Sequence, residues 1–113
     1  MATETLYPIH IPIQEQEIIK RILFDRKDRL PSIWKQFTDK NNEIYLTSFE
    51  NGFMIGVLTS HRDAVPECWK QLIDVMNKIK KDAGVEVTEL GNNMVELKDS
   101  SGFTIVRQKH EWE

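Results

Sequence analysis

The sequence predicts an α+β fold: a single domain over residues 1–113, with a mainly antiparallel sheet in the order β-α-ββ-α-βββ and two helices packed on it. Three observations carry that prediction. Two β-prone runs flank Glu50-Asn51-Gly52 within residues 43–60. Two stretches, 14–28 and 64–83, repeat apolar residues at helical spacing. Residues 85–113 hold short apolar segments separated by Gly91-Asn92-Asn93 and Asp99-Ser100-Ser101-Gly102, the turn chemistry of a meander.

Residues 1–5 are expected to form a loose tail. Leu6 to Ile13 alternates, with Tyr7, Ile9, Ile11 and Ile13 on one side and Pro8, His10 and Pro12 on the other. The prolines cannot donate ladder hydrogen bonds, so an edge strand is predicted, and an unblocked edge there could pair with another chain. Gln14 to Asp28 follows as a helix with the stripe Ile18, Ile19, Ile22 and Leu23, ended by Leu30-Pro31. A short helical turn, Ser32 to Thr38, would direct Ile33, Trp34 and Phe37 to the core. Asp39 to Asn42 reads as a polar turn.

The central prediction is a hairpin. Glu43 to Phe49 and Phe53 to Ser60 are joined by Asn51-Gly52, a pair that tolerates positive φ. The second arm is apolar on both sides, as expected of a strand covered on both faces. A helix over Ala64 to Ala83 follows, with Asp63 as N-cap, the stripe Val65, Trp69, Leu72, Ile73, Met76 and Ile79, and Gly84 as C-terminal cap. Val85–Leu90, Met94–Lys98 and Phe103–Gln108 complete a three-strand antiparallel meander.

The formal net charge is −3, which argues against a large nonspecific nucleic-acid surface. Basic and acidic side chains balance over residues 1–84. The excess lies in 85–113, where Lys98, Arg107 and Lys109 stand against Glu86, Glu89, Glu96, Asp99, Glu111 and Glu113. Cys68 is the only cysteine, so an internal disulfide is impossible and a cytoplasmic location is expected. Met-Ala-Thr-Glu-Thr lacks the basic and apolar regions of a secretory signal, and no apolar run approaches membrane-spanning length.

No constellation compels a catalytic, metal or cofactor assignment. His61-Arg62-Asp63 spells the tripeptide of a kinase catalytic loop without the other kinase elements. It is read as a turn capped by Asp63, or as an anion site beside a helix N-terminus. His10, His61 and His110 lack helical metal-ligand spacing. Cys68 near a helix start is a thiol of either raised reactivity or simple core character.

The leading expectation is a small noncatalytic interaction protein: an inhibitor, immunity or adaptor module of bacterial or phage origin. Its partner-binding residues would be Tyr7, His10, Arg62, Glu89, Glu96 and Trp112. The second is a nucleic-acid-binding regulator. It would use the basic helix residues, among them Lys20, Arg21, Arg26, Lys27 and Arg29, with contacts from His61, Arg62, Lys78, Lys81, Arg107 and Lys109. Gln108-Lys109-His110-Glu111-Trp112 resembles a short segment near the end of the translational repressor of T-even phages. That resemblance covers five residues and assigns no family. Homodimerisation is compatible with both expectations, and an enzyme built on His61, Arg62 and Cys68 ranks below them.

Overall fold

The computed structural model describes residues 5–39 and 42–110. The fold is α+β, with four α-helices and two antiparallel sheets among those residues. The chain divides into two compact units, residues 1–76 and 77–113.

In the first unit, β1 (Tyr7–His10) pairs antiparallel with β2 (Glu43–Leu46), placing Tyr7 opposite Leu46 and Ile9 opposite Ile44. The predicted alternation holds for Tyr7, Ile9 and Ile11, which are buried. It breaks at Ile13, which is 80 % exposed because the chain has already turned into α1 (Ile13–Phe24). Ile19 and Leu23 of α1 enter the core. Helix α2 (Pro31–Asp39) starts on proline, whose fixed φ suits a first helical turn. Its Ile33 and Phe37 are buried, and Trp34 is half-buried. The predicted turn at 39–42 lies partly outside the described residues.

The predicted hairpin is corrected. Its first arm is strand β2, but its partner is β1, and residues 48–58 form helix α3 (Ser48–Leu58). A capping box decides the matter. The Thr47 side chain accepts the Glu50 N–H at 3.1 Å, and Glu50 Oε1 accepts the Thr47 N–H at 3.0 Å. Met54, Ile55 and Leu58 are buried while Phe53 and Val57 are half-buried. The two-sided apolarity read as a covered strand therefore belongs to a helix enclosed on most of its surface. Asn51, placed by that prediction in the connecting turn, is fully buried; its Nδ2 lies 3.5 Å from the Leu72 carbonyl, and its Oδ1 has no hydrogen-bond partner.

A 3-10 turn, Thr59–His61, leads towards α4 (Pro66–Asp82). Cys68, Leu72 and Val75 of α4 are buried. The helix is followed by Gly84, whose φ of 69° is the left-handed geometry of a C-terminal cap.

The second unit carries the predicted meander: β3 (Glu86–Gly91), β4 (Met94–Lys98) and β5 (Thr104–Gln108), in that order. The single sheet expected from the sequence is thus two separate sheets. Asn92 and Asn93 have φ of 53° and 61°, and Gly91 has 83°, so the β3–β4 turn uses residues that tolerate positive φ. The Asp99 side chain closes the β4–β5 turn. Its Oδ1 accepts the Ser101 hydroxyl at 2.6 Å and the N–H groups of Ser101 and Phe103 at 2.9 and 3.0 Å. These bonds, that of the Ser101 hydroxyl foremost, hold the Asp99 carboxyl below its ordinary pKa.

Candidate functional site

The sequence-predicted residues fall into separate places. Tyr7 is buried in β1 and His10 is exposed at its end. His61 and Arg62 are exposed in the turn before α4, and Arg62 Nη1 donates to the Thr59 carbonyl at 3.0 Å. Lys78 and Lys81 are exposed near the end of α4, three residues apart on one face. Glu89, Arg107 and Lys109 come together on the second sheet, whereas Glu96 lies on its opposite face. Trp112 is outside the described residues.

The first turn of α4 is occupied from within the chain. Glu15 is buried on α1, and its two carboxylate oxygens accept the N–H groups of Glu67 at 3.0 Å and Cys68 at 2.9 Å. A carboxylate at a helix N-terminus satisfies orphan donors and meets the positive end of the dipole. Asp63, predicted to cap α4, is exposed in the turn, and the helix begins three residues later. The Cys68 thiol is buried, and desolvation together with the Glu15 charge pushes its pKa up to about 12. Burial and the neighbouring carboxylate thus favour the protonated thiol, the opposite of an activated thiolate. In the sequence Glu15 looks like any acid in the first turn of a helix. Its register with Ile19 and Leu23, four and eight residues on, marks it as core-facing.

The two-stranded ribbon has side chains along both outer edges. On β1, the His10 N–H donates to Gln71 Oε1 at 2.8 Å, and Gln71 Nε2 donates to the His10 carbonyl at 2.5 Å. On β2, the Tyr45 N–H donates to Gln36 Oε1 at 2.7 Å, and Gln36 Nε2 donates to the Tyr45 carbonyl at 3.0 Å. Each glutamine amide thus supplies the donor and acceptor that a neighbouring strand would supply. Pro8 has no N–H to offer. The unblocked edge predicted for the N-terminal arm is closed at His10. On β2, the Tyr45 hydroxyl also donates to Glu43; that bond and the Glu43 charge raise the phenol's pKa.

A basic and aromatic face lies on α1 and the turn after it. Phe24 is half exposed and meets Trp34 edge-on, with centroids 5.6 Å apart at 73°. Lys27 Nζ stands 4.0 Å over the Phe24 ring. Lys20 and Arg21 border the same hollow, with Glu17 and Asp25 interspersed.

The second sheet is the more open surface. Residues opposite one another across the strands share a face. Val87, Leu97 and Ile105 therefore form one row, and Glu89, Val95 and Arg107 the next. Thr88, Glu96 and Val106 lie on the reverse. Lys109 Nζ reaches Glu89 Oε1 at 2.5 Å. This hydrogen bond and charge hold the Glu89 carboxyl below its usual range. Val95 is the buried apolar residue of this unit, while Val87, Leu90, Phe103, Ile105 and Val106 are exposed. Val85, Leu97, Phe103 and Ile105 line a hollow of about 250 Å³, with Lys80 and Asp99 at its margin.

Among the described residues no group of three or more His, Cys, Asp or Glu is placed to hold a metal ion, and no helix is long and apolar enough to cross a membrane. Comparison with protein-family models, curated proteins and solved structures gives no match.

Proposed function

We propose that the chain is a small noncatalytic protein–protein interaction module, of the inhibitor, immunity or adaptor kind, acting in the cytoplasm. The observation that carries this reading is one apolar face of the meander: Phe103 is 67 % exposed, with Val87 and Ile105 open on the same side, while Val106 is open on the reverse. Grouped exposed apolar side chains rimmed by charge are the chemistry of a docking surface. Glu89, Arg107 and Lys109 provide that rim. The test is cross-linking in the native host with a photoreactive residue at position 103 or 105. A discrete adduct with one protein supports the reading. Adducts with no protein at either position remove it.

One observation favours a second reading, a nucleic-acid-binding regulator: exposed Phe24 beside Lys20, Arg21 and Lys27 is the arrangement of a base-stacking platform. Titration of single-stranded RNA and DNA at increasing salt separates the two. Submicromolar binding that weakens steeply with salt and is lost in Phe24→Ala favours nucleic acid.

A further inference from the structure

We infer that the outer edge of β5 pairs antiparallel with β5 of a second copy of the chain, about a two-fold axis at Ile105, and so joins two meanders into one continuous sheet. The backbone pattern fixes which groups are open. The Asp99 N–H donates to the Phe103 carbonyl at 3.0 Å, and the Lys109 N–H to the Asn93 carbonyl at 2.8 Å. Odd-numbered residues of this strand therefore spend their backbone groups on β4, and Thr104, Val106 and Gln108 turn theirs to the outer edge. The Gln108 carbonyl there accepts from Arg107 Nη1 at 3.0 Å. The stretch left open is Thr104 to Val106, exposed throughout.

That stretch is complementary to itself in one register. With Ile105 opposite Ile105 of the second copy, Thr104 faces Val106 and Val106 faces Thr104. Both pairs exchange N–H and C=O bonds, so the open groups of both copies are all used. An axis at Val106 would set Thr104 against Gln108, whose carbonyl is taken. An axis at Thr104 would set Val106 against Gly102, whose N–H is bound to the Asp99 carbonyl at 3.1 Å and whose φ is 91°.

Side chains select the same register. Val87, Leu97 and Ile105 form one row across the sheet. Ile105 against Ile105 continues that row into the same three residues of the second copy, whereas an axis at Val106 would run it into Arg107. Charge follows suit. β5 carries no acid, so the acidic residues on β3 and β4 stay away from the join. The two-fold also keeps the Arg107 ends apart. Rows that cross the axis carry opposite signs: Arg107 lies in line with Phe103 and then Asp99 of the second copy, and Glu96 and Val106 lie in line with Thr104 and then Lys98. An unrelated extended segment would match only the backbone groups. A second copy matches backbone, apolar row and charge order at once.

The pairing closes, because a two-fold interface uses the same patch on both copies. Pairing β5 with β3 of another copy would instead repeat into filaments, and β3 is blunted by its register irregularity between Glu89 and Gly91. Such a dimer goes beyond the interaction-module reading and does not depend on it. Its axis is normal to the sheet, so the apolar face of each meander stays open.

The test is disulfide cross-linking of the full chain, together with sedimentation. Residues opposite one another at a non-hydrogen-bonded pair have Cα atoms about 4.5 Å apart, within disulfide reach. Ile105→Cys should therefore give a disulfide-linked dimer under mild oxidation at least about tenfold faster than Thr104→Cys or Val106→Cys, which do not lie opposite themselves. The native Cys68 is buried and does not compete. Wild type should dimerise with rising concentration between about 1 μM and about 1 mM. Val106→Pro removes an outward N–H without touching the bonds to β4, and should weaken dimerisation at least about tenfold while the β3 and β4 amides keep their shifts. A wild type that stays monomeric over that range, or equal linking at 104, 105 and 106, overturns the dimer. So does Val106→Pro that dimerises as wild type does. Fastest linking at 106 overturns the register and with it the continuous apolar row. A photoreactive residue at 105 separates this inference from the interaction reading. Self-adducts alone keep the dimer and remove that reading; adducts with another protein alone do the reverse.

Discussion

The two sheets solve the same problem in opposite ways. Each exposes strand edges, which are templates for further pairing. The β1–β2 ribbon has an amide from Gln71 on one edge and from Gln36 on the other, and a proline where a donor would be. The β3–β5 sheet leaves Thr104 and Val106 uncovered on β5. The units also differ in what they bury. Every buried apolar residue among those described, apart from Val95, lies within residues 1–76. A unit that holds the core and closes its edges is built for stability. A unit with a thin core, open edges and exposed apolar rows leaves surface for something else to cover.

The largest effect should come from removing the element that joins α1 to α4. Glu15→Ala strands one buried N–H, of Cys68, and one half-buried N–H, of Glu67, and is expected to cost about 2 kcal/mol in denaturant unfolding followed by tryptophan fluorescence. A loss below about 1 kcal/mol would show that water replaces the carboxylate there. Next comes the pair of glutamines. Gln36→Ala and Gln71→Ala should each cost about 1 kcal/mol. The double variant should gain concentration-dependent self-association by sedimentation, which wild type lacks through these edges. An unchanged sedimentation profile would remove edge closure from the account of the first unit.

Cys68 tests how dry the core of the first unit is. Its thiol has a pKa of about 12 in the fold against an ordinary 9.0. The native state therefore keeps a proton that the unfolded chain releases, so this site's contribution is intact below pH 9 and falls as pH rises towards 12. Modification by a thiol reagent at pH 8 should proceed at the rate of unfolding, and rapid native-state labelling would show the burial to be leaky. Hydrogen exchange sharpens the contrast between the units further: Ile9 and Ile44 amides should outlast those of Thr104 and Val106 by orders of magnitude. The smallest effect belongs to Glu89→Gln. The Glu89–Lys109 pair is exposed, so its loss should leave the unfolding midpoint unmoved within error. The lowered Glu89 pKa places whatever it contributes above the ordinary carboxylate range, fading as pH falls.

Much of this fold is legible in the chain. The stripes of α1 and α4, Pro31 at the start of α2, Gly84 after α4 and both turns of the meander are local signals with local causes. The failure at residues 47–58 is equally local. Asn51-Gly52 announces a hairpin, but Thr47 and Glu50 announce a helix start four residues earlier. An apolar run of that length fits a buried strand or a buried helix, and the capping pair is the tie-breaker. The candidate site was harder to see. Glu89, Arg107 and Lys109 could be named from charge, but their meeting depends on strand register. The openness of β5 depends on which residues spend their hydrogen bonds inward, and no side-chain pattern records that. Glu15 and the two glutamines act on segments from 9 to 61 residues away, beyond the reach of periodicity.

The carboxylate of Glu15 also joins two segments that are translated far apart. Its partners at Glu67 and Cys68 lie 52 and 53 positions downstream, so α1 leaves the ribosome long before α4 exists. When the first turn of α4 emerges, the residue that accepts its N–H groups has already been translated. The entropy of closing so long a loop grows only slowly with its length, and α2, β2 and α3 shorten it further by folding in between. Helix α4 thereby receives the acceptors of its first turn from a helix translated before it.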